Sequence, residues 1–292
     1  MRTLKTGWMA LALGIVAGWA VAAPHAVVEG VQAPAWVERA GGRQALTPGM
    51  VLDNRDRLVT GNGGRALVQM ADGSAVRMGE NGQVGLQGLN RRQDGVFTAA
   101  LEVAKGAFRL TTDLFRRVSD KRAIDVKIGT VTAGIRGTDI WGRSDERRDF
   151  VCLLEGHITA SHPQGTPVEL TQPLQFYGAD KGRPPGPVDS VDAAQVRLWA
   201  QETELETGAG IQRRGGRWGV RLGSFPDQAA ALALYDRAAA AGYGTRIVPL
   251  GRGEQARYEV RLGQIPSGAE AESLATRLSR ELDLPGIKAY RR

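Results

Sequence analysis

The sequence predicts a multidomain protein: an all-β N-terminal region, a sandwich or β-roll, followed by an α+β unit of βαβ-βαβ form, a ferredoxin-like sandwich. Three observations predict this. Asn62-Gly63, Asp72-Gly73, Asn81-Gly82 and Asp94-Gly95 fall about ten residues apart between short alternating runs, and such dipeptides supply the positive-φ residues of tight hairpin turns. Residues 220–226 read V-R-L-G-S-F-P and residues 260–266 read V-R-L-G-Q-I-P, so the C-terminal end holds one unit written twice. Between these regions Pro184, Pro185 and Pro187 lie among glycines and charges, which breaks regular structure and reads as a linker.

The first element is a leader. Arg2 and Lys5 precede an apolar run from Trp8 to Ala22, and Ala20-Val21-Ala22 ahead of Ala23-Pro24 is a small-x-small cleavage signal. Residues 1–22 are therefore expected to be a signal peptide cut near Ala22, the alternative being a retained anchor. The run is shorter than the ~20 residues a bilayer span needs, so no stable membrane span is expected after cleavage, and the mature protein is expected in the periplasm. The net charge is +7, of which Arg2 and Lys5 leave with the leader. A basic mature chain suits anionic partners, and export favours acidic envelope polymers over nucleic acid.

Residues 28–177 form the β-rich region. In its clearest hairpin, Ala66–Met70 and Ala75–Met78 flank Asp72-Gly73, with Ala66, Val68 and Met70 on one side and Leu67 and Gln69 on the other. Runs at 96–103, 107–111, 124–131, 149–155 and 157–161 read as further strands. Cys152, the one cysteine, sits in the apolar run Phe150–Leu154 and reads as a small buried hydrophobe.

Residues 178–214 are expected to be a Pro/Gly linker with a helix at about 192–206, where Val196, Leu198, Trp199 and Leu205 offer an apolar stripe. Gly208–Gly216 reads as a second hinge. The C-terminal unit spans 215–292. In its first copy Trp218, Val220 and Leu222 alternate with Gly219, Arg221 and Gly223; in its second, Tyr258, Val260 and Leu262 alternate with Glu259, Arg261 and Gly263. A helix from about Asp227 to Ala241 is closed by Gly242. Ser267 and Glu270 form a capping box before Ala271, Leu274, Ala275 and Leu278 at helical spacing.

Both helices must cover the apolar face of the sheet. Aligning the copies sets Ile247 against Ile287, so Thr245, Ile247, Ile287 and Ala289 point inward. Arg221, Arg246, Val248, Glu259, Arg261, Lys288 and Tyr290 then share the open face. This is a basic platform with one aromatic ring.

These residues resemble a known family: W-x-V-x-L-G-S-F at 218–225, Gly242 after the helix, and Y-x-V-R-L-G at 258–263 look like a SPOR domain. The resemblance implies binding to peptidoglycan, with preference for glycan strands stripped of stem peptides, and a setting in the cell envelope and cell division. Stripping the peptide leaves the lactyl group as a free carboxylate beside apolar sugar faces. Arginine forks recognise carboxylates and a tyrosine can cover a sugar face. The expected glycan-binding residues are Arg221, Ser224, Arg246, Arg261, Lys288 and Tyr290. Arg221 stands where many members carry glutamine, Ser224 matches the family serine, and Glu259 departs from a place where arginine is common.

Residues 45–160 resemble a FecR-type domain through G-x-x-L at 49–52, Thr60-Gly61, the hairpin A-L-V-Q-M-A-D-G-S-A-V-R-M, G-I-R-G-T-D-I at 134–140 and V-C-L-L-E-G-H-I-T-A at 151–160. Arg136, Gly137 and Thr138 are its signature; a structural turn is the bland reading of the same residues. Named members of that family relay iron-uptake signals to a sigma factor and have a cytoplasmic N-terminal segment with a retained span. Since export is expected to begin at Met1, this domain is expected to bind a ligand or an envelope partner. A FecR-type regulatory protein and a cell-wall hydrolase activator are the alternatives.

No enzyme is expected. Cys152 and His157 could meet across a turn as a thiol and base, and His157 and His162 lack the spacing or third ligand of a zinc site. There is no G-x-S-x-G elbow and no phosphate loop. Neither cofactor nor metal is expected. Nucleic acid is disfavoured as well, because the strand centres carry arginine where stacking rings would be wanted.

Overall fold

The computed structural model describes residues 25–112, 122–135 and 137–292, so the expected leader and Arg136 lie outside the described residues. The N-terminal region opens with β1 (Ala26–Gln32), β2 (Ala35–Arg39), β3 (Gly42–Ala45), β4 (Val51–Leu52), β5 (Arg57–Thr60) and β6 (Arg65–Met70). It continues with β7 (Ala75–Met78), β8 (Gln83–Arg91), β9 (Phe97–Thr111), β10 (Arg122–Ile128), β11 (Val131–Ile135) and β12 (Asp139–Ser144). Then follow β13 (Arg148–Glu155), β14 (Ile158–Ser161), β15 (Val168–Leu170), β16 (Gln175–Asp180), β17 (Asp189–Ser190), α1 (Ala193–Thr203) and β18 (Gln212–Arg213).

These strands make two sheets. In one, β4 and β18 pair along one edge of β1, which is followed by β6, β7, the second half of β9, β12, β13, β16 and β17. In the other, the neighbours run β3, β2, β5, β8, the first half of β9, β10, β11, β14 and β15. Val28, Val68 and Leu110 from the first sheet and Leu58, Leu101 and Val126 from the second are buried in one shared core.

The runs expected at 96–103 and 107–111 are a single strand, β9, that belongs to both sheets. Its apolar phase explains why. Phe97, Ala99, Leu101 and Val103 enter the core on odd numbers, whereas Phe108 and Leu110 enter on even ones, and the change of phase falls at Gly106. Ala107 is thereby turned to the far side, against Trp141 and Phe150.

The stretch expected as linker, 178–214, is largely ordered. β16 runs to Asp180, β17 returns beside it, and β18 pairs with Gly30 and Val31 of β1. Asp192 caps α1 by accepting from the amide of Ala194 at 2.6 Å. The helix expected to reach residue 206 stops at Thr203, and Glu204 is extended at φ −83° and ψ 144°. The reason is electrostatic: Glu202, Glu204 and Glu206 reach arginines of the sheet beneath.

The C-terminal unit comprises β19 (Trp218–Phe225), α2 (Gln228–Ala240), β20 (Arg246–Leu250), β21 (Arg257–Ile265), α3 (Gly268–Glu281) and β22 (Lys288–Arg291), with a short 3-10 turn before β21. The strand order is β20-β21-β19-β22, and every pairing is antiparallel. Ala231, Leu234 and Ala238 of α2 and Ala271, Leu274 and Leu278 of α3 are buried against Val220, Leu222, Val260 and Leu262. Each fully buried leucine or valine here contributes about 1.5–3 kcal/mol. Ile247, Ile287 and Ala289 pack on the same core, the phase that alignment of the two copies gives.

One detail differs from the sequence reading and another goes beyond it. Ser267 accepts from the amide of Glu270 at 3.2 Å, but the Glu270 carboxylate does not complete the box; it accepts from the amides of Gly208, Gly210 and Ile211 at 2.6, 2.7 and 3.0 Å. It thus ties α3 to the segment read as a hinge. Gly242, read as a helix cap, has φ +83° as a cap requires, and a Cβ there would also lie 2.7 Å from Pro34 and Trp36. Around it, the Trp36 indole donates to the carbonyl of Ala239 at 3.1 Å, and the Gln264 amide donates to the carbonyl of Pro48 at 2.7 Å. The C-terminal unit is therefore docked on the β region.

Candidate functional site

On the C-terminal sheet, α2 and α3 occupy one face and the other is open. Cross-strand register then does what no single strand can. Arg246 of β20 stands opposite Arg261 of β21, Arg261 opposite Arg221 of β19, and Arg221 opposite Lys288 of β22. Four cations form one rank across all four strands, roughly 14 Å long at ~4.8 Å per strand. Like charges directly opposite repel, and the neighbouring rank supplies the answer.

Glu259, with 7% of its side chain exposed, accepts from Arg221 Nη1 at 3.2 Å and from Arg261 Nε at 2.6 Å. This carboxylate holds both guanidinium planes in place, as charge-assisted bonds do. Arg246 and Lys288 stay exposed at the two ends. The Arg261 guanidinium carbon lies 5.3 Å from the centre of the Tyr290 ring. Arg221, Glu259, Arg261, Lys288, Ala289 and Tyr290 line a depression of about 300 Å³.

Strict alternation would point Gly223 outward and Ser224 inward. A bulge between Arg221 and Gly223 reverses this, setting Gly223 opposite Val260 and Ser224 opposite Glu259. Ser224 thereby joins the open face. There its hydroxyl accepts from Arg257 Nε at 3.0 Å, and its carbonyl accepts from Arg257 Nη2 at 2.9 Å. The six expected residues Arg221, Ser224, Arg246, Arg261, Lys288 and Tyr290 thus share one surface.

The sequence sets Arg257 beside Glu259 without giving it a contact, and gives Gly219 no role. Arg257 is two residues before Glu259 and so on the same face of β21, a signal that alternation alone carries. Gly219 pairs with Tyr290, and a Cβ there would sit 2.7 Å from the phenol oxygen. Only glycine lets the ring lie down on the sheet, and a lone glycine in a strand gives no hint of that partner.

In the β region, Gly137 has φ +76° and Thr138 is fully buried. The Thr138 amide donates to Thr112 Oγ1 at 2.6 Å, and the Thr112 amide donates back to the carbonyl of Thr138 at 3.0 Å. These two signature residues make a turn pinned to the end of β9. Cys152 is fully buried, and burial pushes its thiol up to about 12. His157 faces Glu169 at 3.1 Å, and His162 Nδ1 accepts from the amide of Gln164 at 3.1 Å. Among the described residues no group of three or more His, Cys, Asp or Glu could hold a metal ion, and no helix is long and apolar enough to cross a membrane.

Comparison with known proteins adds the family context. The family model described as FecR protein matches residues 56–159, and the model described as SPOR domain matches residues 215–286. No curated protein matches the chain. Two crystal structures of a candidate anti-sigma factor from Parabacteroides distasonis ATCC 8503 are similar at 13% identity, covering 81% of this chain and 98% and 99% of theirs, with a TM-score of 0.40 in both cases. The chain joins a FecR domain, residues 56–159, to a C-terminal SPOR domain, residues 215–286.

Proposed function

We propose that this is a periplasmic, non-enzymatic binding protein that holds denuded peptidoglycan glycan strands on the open face of its ferredoxin-like SPOR sheet and presents its FecR domain to an envelope partner. The observation that carries the reading is the rank Arg246, Arg261, Arg221 and Lys288 beside Tyr290, with no helix over it. Exposed donors suit the row of lactyl carboxylates on a stripped strand, and the tyrosine suits a sugar face. Cys152 is buried, and His157 and His162 engage Glu169 and Gln164 instead, so the thiol and base weighed from the sequence do not form a pair.

The test is co-sedimentation of the full mature chain with sacculi, treated or untreated with amidase, for the native protein and for Arg261→Ala and Tyr290→Ala. Enrichment on amidase-treated sacculi that both variants lose is expected. Equal recovery in the supernatant with and without sacculi refutes the proposal. The FecR match favours a second reading, a FecR-type regulator whose sheet face is incidental, and native-like signalling by both variants would favour it.

A further inference from the structure

A second basic surface lies outside the glycan face, on the FecR domain, and is occupied. Arg65, Arg77, Arg109 and Arg143 project from β6, β7, β9 and β12, consecutive neighbours in the first sheet. Arg77 and Arg109 stand directly opposite each other, a like-charge pairing that disfavours the sheet unless an anion bridges it. Asp139 takes part of the Arg109 charge, accepting at 2.9 and 2.6 Å. The remaining anions come from residues 202–206, which cross the row.

Glu204 Oε1 bridges Arg77 Nε at 3.2 Å and Arg109 Nη1 at 3.4 Å. The Glu202 carboxylate meets Arg143, and Glu206 meets Arg65 Nη2 at 2.8 Å. Main-chain groups are read as well: the carbonyl of Glu202 accepts from Arg65 Nε at 3.0 Å, and the amide of Glu206 donates to Gln32 at 2.9 Å. Trp199 stacks on Trp141 at 4.9 Å and 5°. Three acids, backbone contacts and an aromatic anchor, set on the last turns of α1 and the extended residues after it, are the features of a recognised peptide, not of a mere spacer.

The seating is incomplete. Arg65 Nη1 and Trp141 Nε1 are buried with no partner, a cost that a better-fitting segment would remove. In α1 only Thr203 is buried, and Leu198 is 57% exposed. Apart from Trp199, which packs on Trp141 and Phe150, the helix has few buried apolar contacts, and such a segment opens locally before the core strands do.

We propose that this row is a docking groove for an acidic segment of a partner protein, a helix end running on into extended chain, and that the chain's own residues 199–206 occupy it until that segment displaces them. The test uses the full mature chain, native and as the triple variant E202Q/E204Q/E206Q, with a fluorescent peptide of residues 196–207 as the probe. A tethered competitor acts at an effective concentration of order mM. Anisotropy is therefore expected to show at least tenfold tighter binding to the triple variant than to the native chain, and no binding of a peptide with the three glutamates changed to glutamine. Equal binding to both proteins, or none to a triple variant of unchanged melting, overturns the proposal. So does displacement of the probe by an anionic glycan as readily as by unlabelled peptide. Should the triple variant not fold, hydrogen exchange on the native chain decides: added peptide is expected to expose amides 193–206 while β6 and β7 stay protected, and unchanged exchange overturns it. Neither readout involves the SPOR face.

Discussion

Replacing Glu259 by glutamine removes the carboxylate that Arg221 and Arg261 share and keeps its shape. A glycan carboxylate bound on the outer edges of those guanidiniums would lie about 6 Å from Glu259, two charge-assisted contacts of ~2.9 Å away. At that distance two like charges cost roughly 0.7 kcal/mol at an effective dielectric of 80 and roughly 2.8 kcal/mol at 20. The open face places the site toward the screened limit, so relief of about 1 kcal/mol, near fivefold in affinity, is expected for Glu259→Gln. A steeper loss of binding with added salt should accompany it, because one more cation is left for the ligand. Left with one neutral amide oxygen in place of two carboxylate oxygens, the opposed arginines should cost about 1–2 kcal/mol of stability. Titration of amidase-stripped glycan strands by calorimetry or anisotropy across a salt series, with melting of the same samples, measures all three. Weaker binding by the folded variant, with an unchanged salt slope, would refute the view of Glu259 as an internal counter-ion and make it a direct ligand contact.

Gly219→Val should lift the Tyr290 ring off the sheet, lowering glycan affinity about tenfold, since the ring adds about 1–1.5 kcal/mol as an aromatic contact, and should lower melting as well, because the added Cβ also meets the Leu262 carbonyl at 2.8 Å; sedimentation with stripped sacculi, set beside Tyr290→Ala, checks it. Glu270→Ala strands three amides, two of them buried, and should cost about 2–4 kcal/mol by denaturant unfolding, with faster exchange at 208–211 than elsewhere. Asp149 is pushed up by burial, but bonds from Lys181, Ser144 and Thr130 outweigh this and hold it below the usual range. A depressed carboxylate contributes stability above the unfolded value of about 3.9 and loses it as pH falls through the folded value. Native melting should accordingly drop below about pH 4, and Asp149→Asn should flatten that limb while lowering stability at neutral pH.

Much of the C-terminal unit is legible because its signals are local and doubled. Two copies with period-two apolar residues fix which side of each strand meets the helices, and the open face follows for Arg221, Arg246, Arg261, Lys288 and Tyr290. The bulge that turns Ser224 outward is not legible, because it depends on how β19 and β21 pair across 38 residues of chain. In the β region, turn dipeptides mark hairpins but not the sheet to which a strand belongs, and β9 serves two. The stretch 178–214 reads as linker because prolines and glycines oppose regular structure, yet it is ordered by pairing of its short strands with β16 and β1 and by arginines more than 50 positions earlier. Charge pairs at such separations leave no periodic trace.

The docking of Trp36, Gln264, Glu270 and Gly242 between the two units has a mechanical consequence. A free coil of the 37 residues from 178 to 214 would let the domains roam by roughly 33 Å. Folded as it is, the junction behaves as a bracket: anchoring one arm to a polymer fixes the heading and the stand-off height of the other. Under the proposed attachment to glycan, the FecR domain is held within one narrow shell above its support, and spacing between layers selects its partners as much as chemistry does.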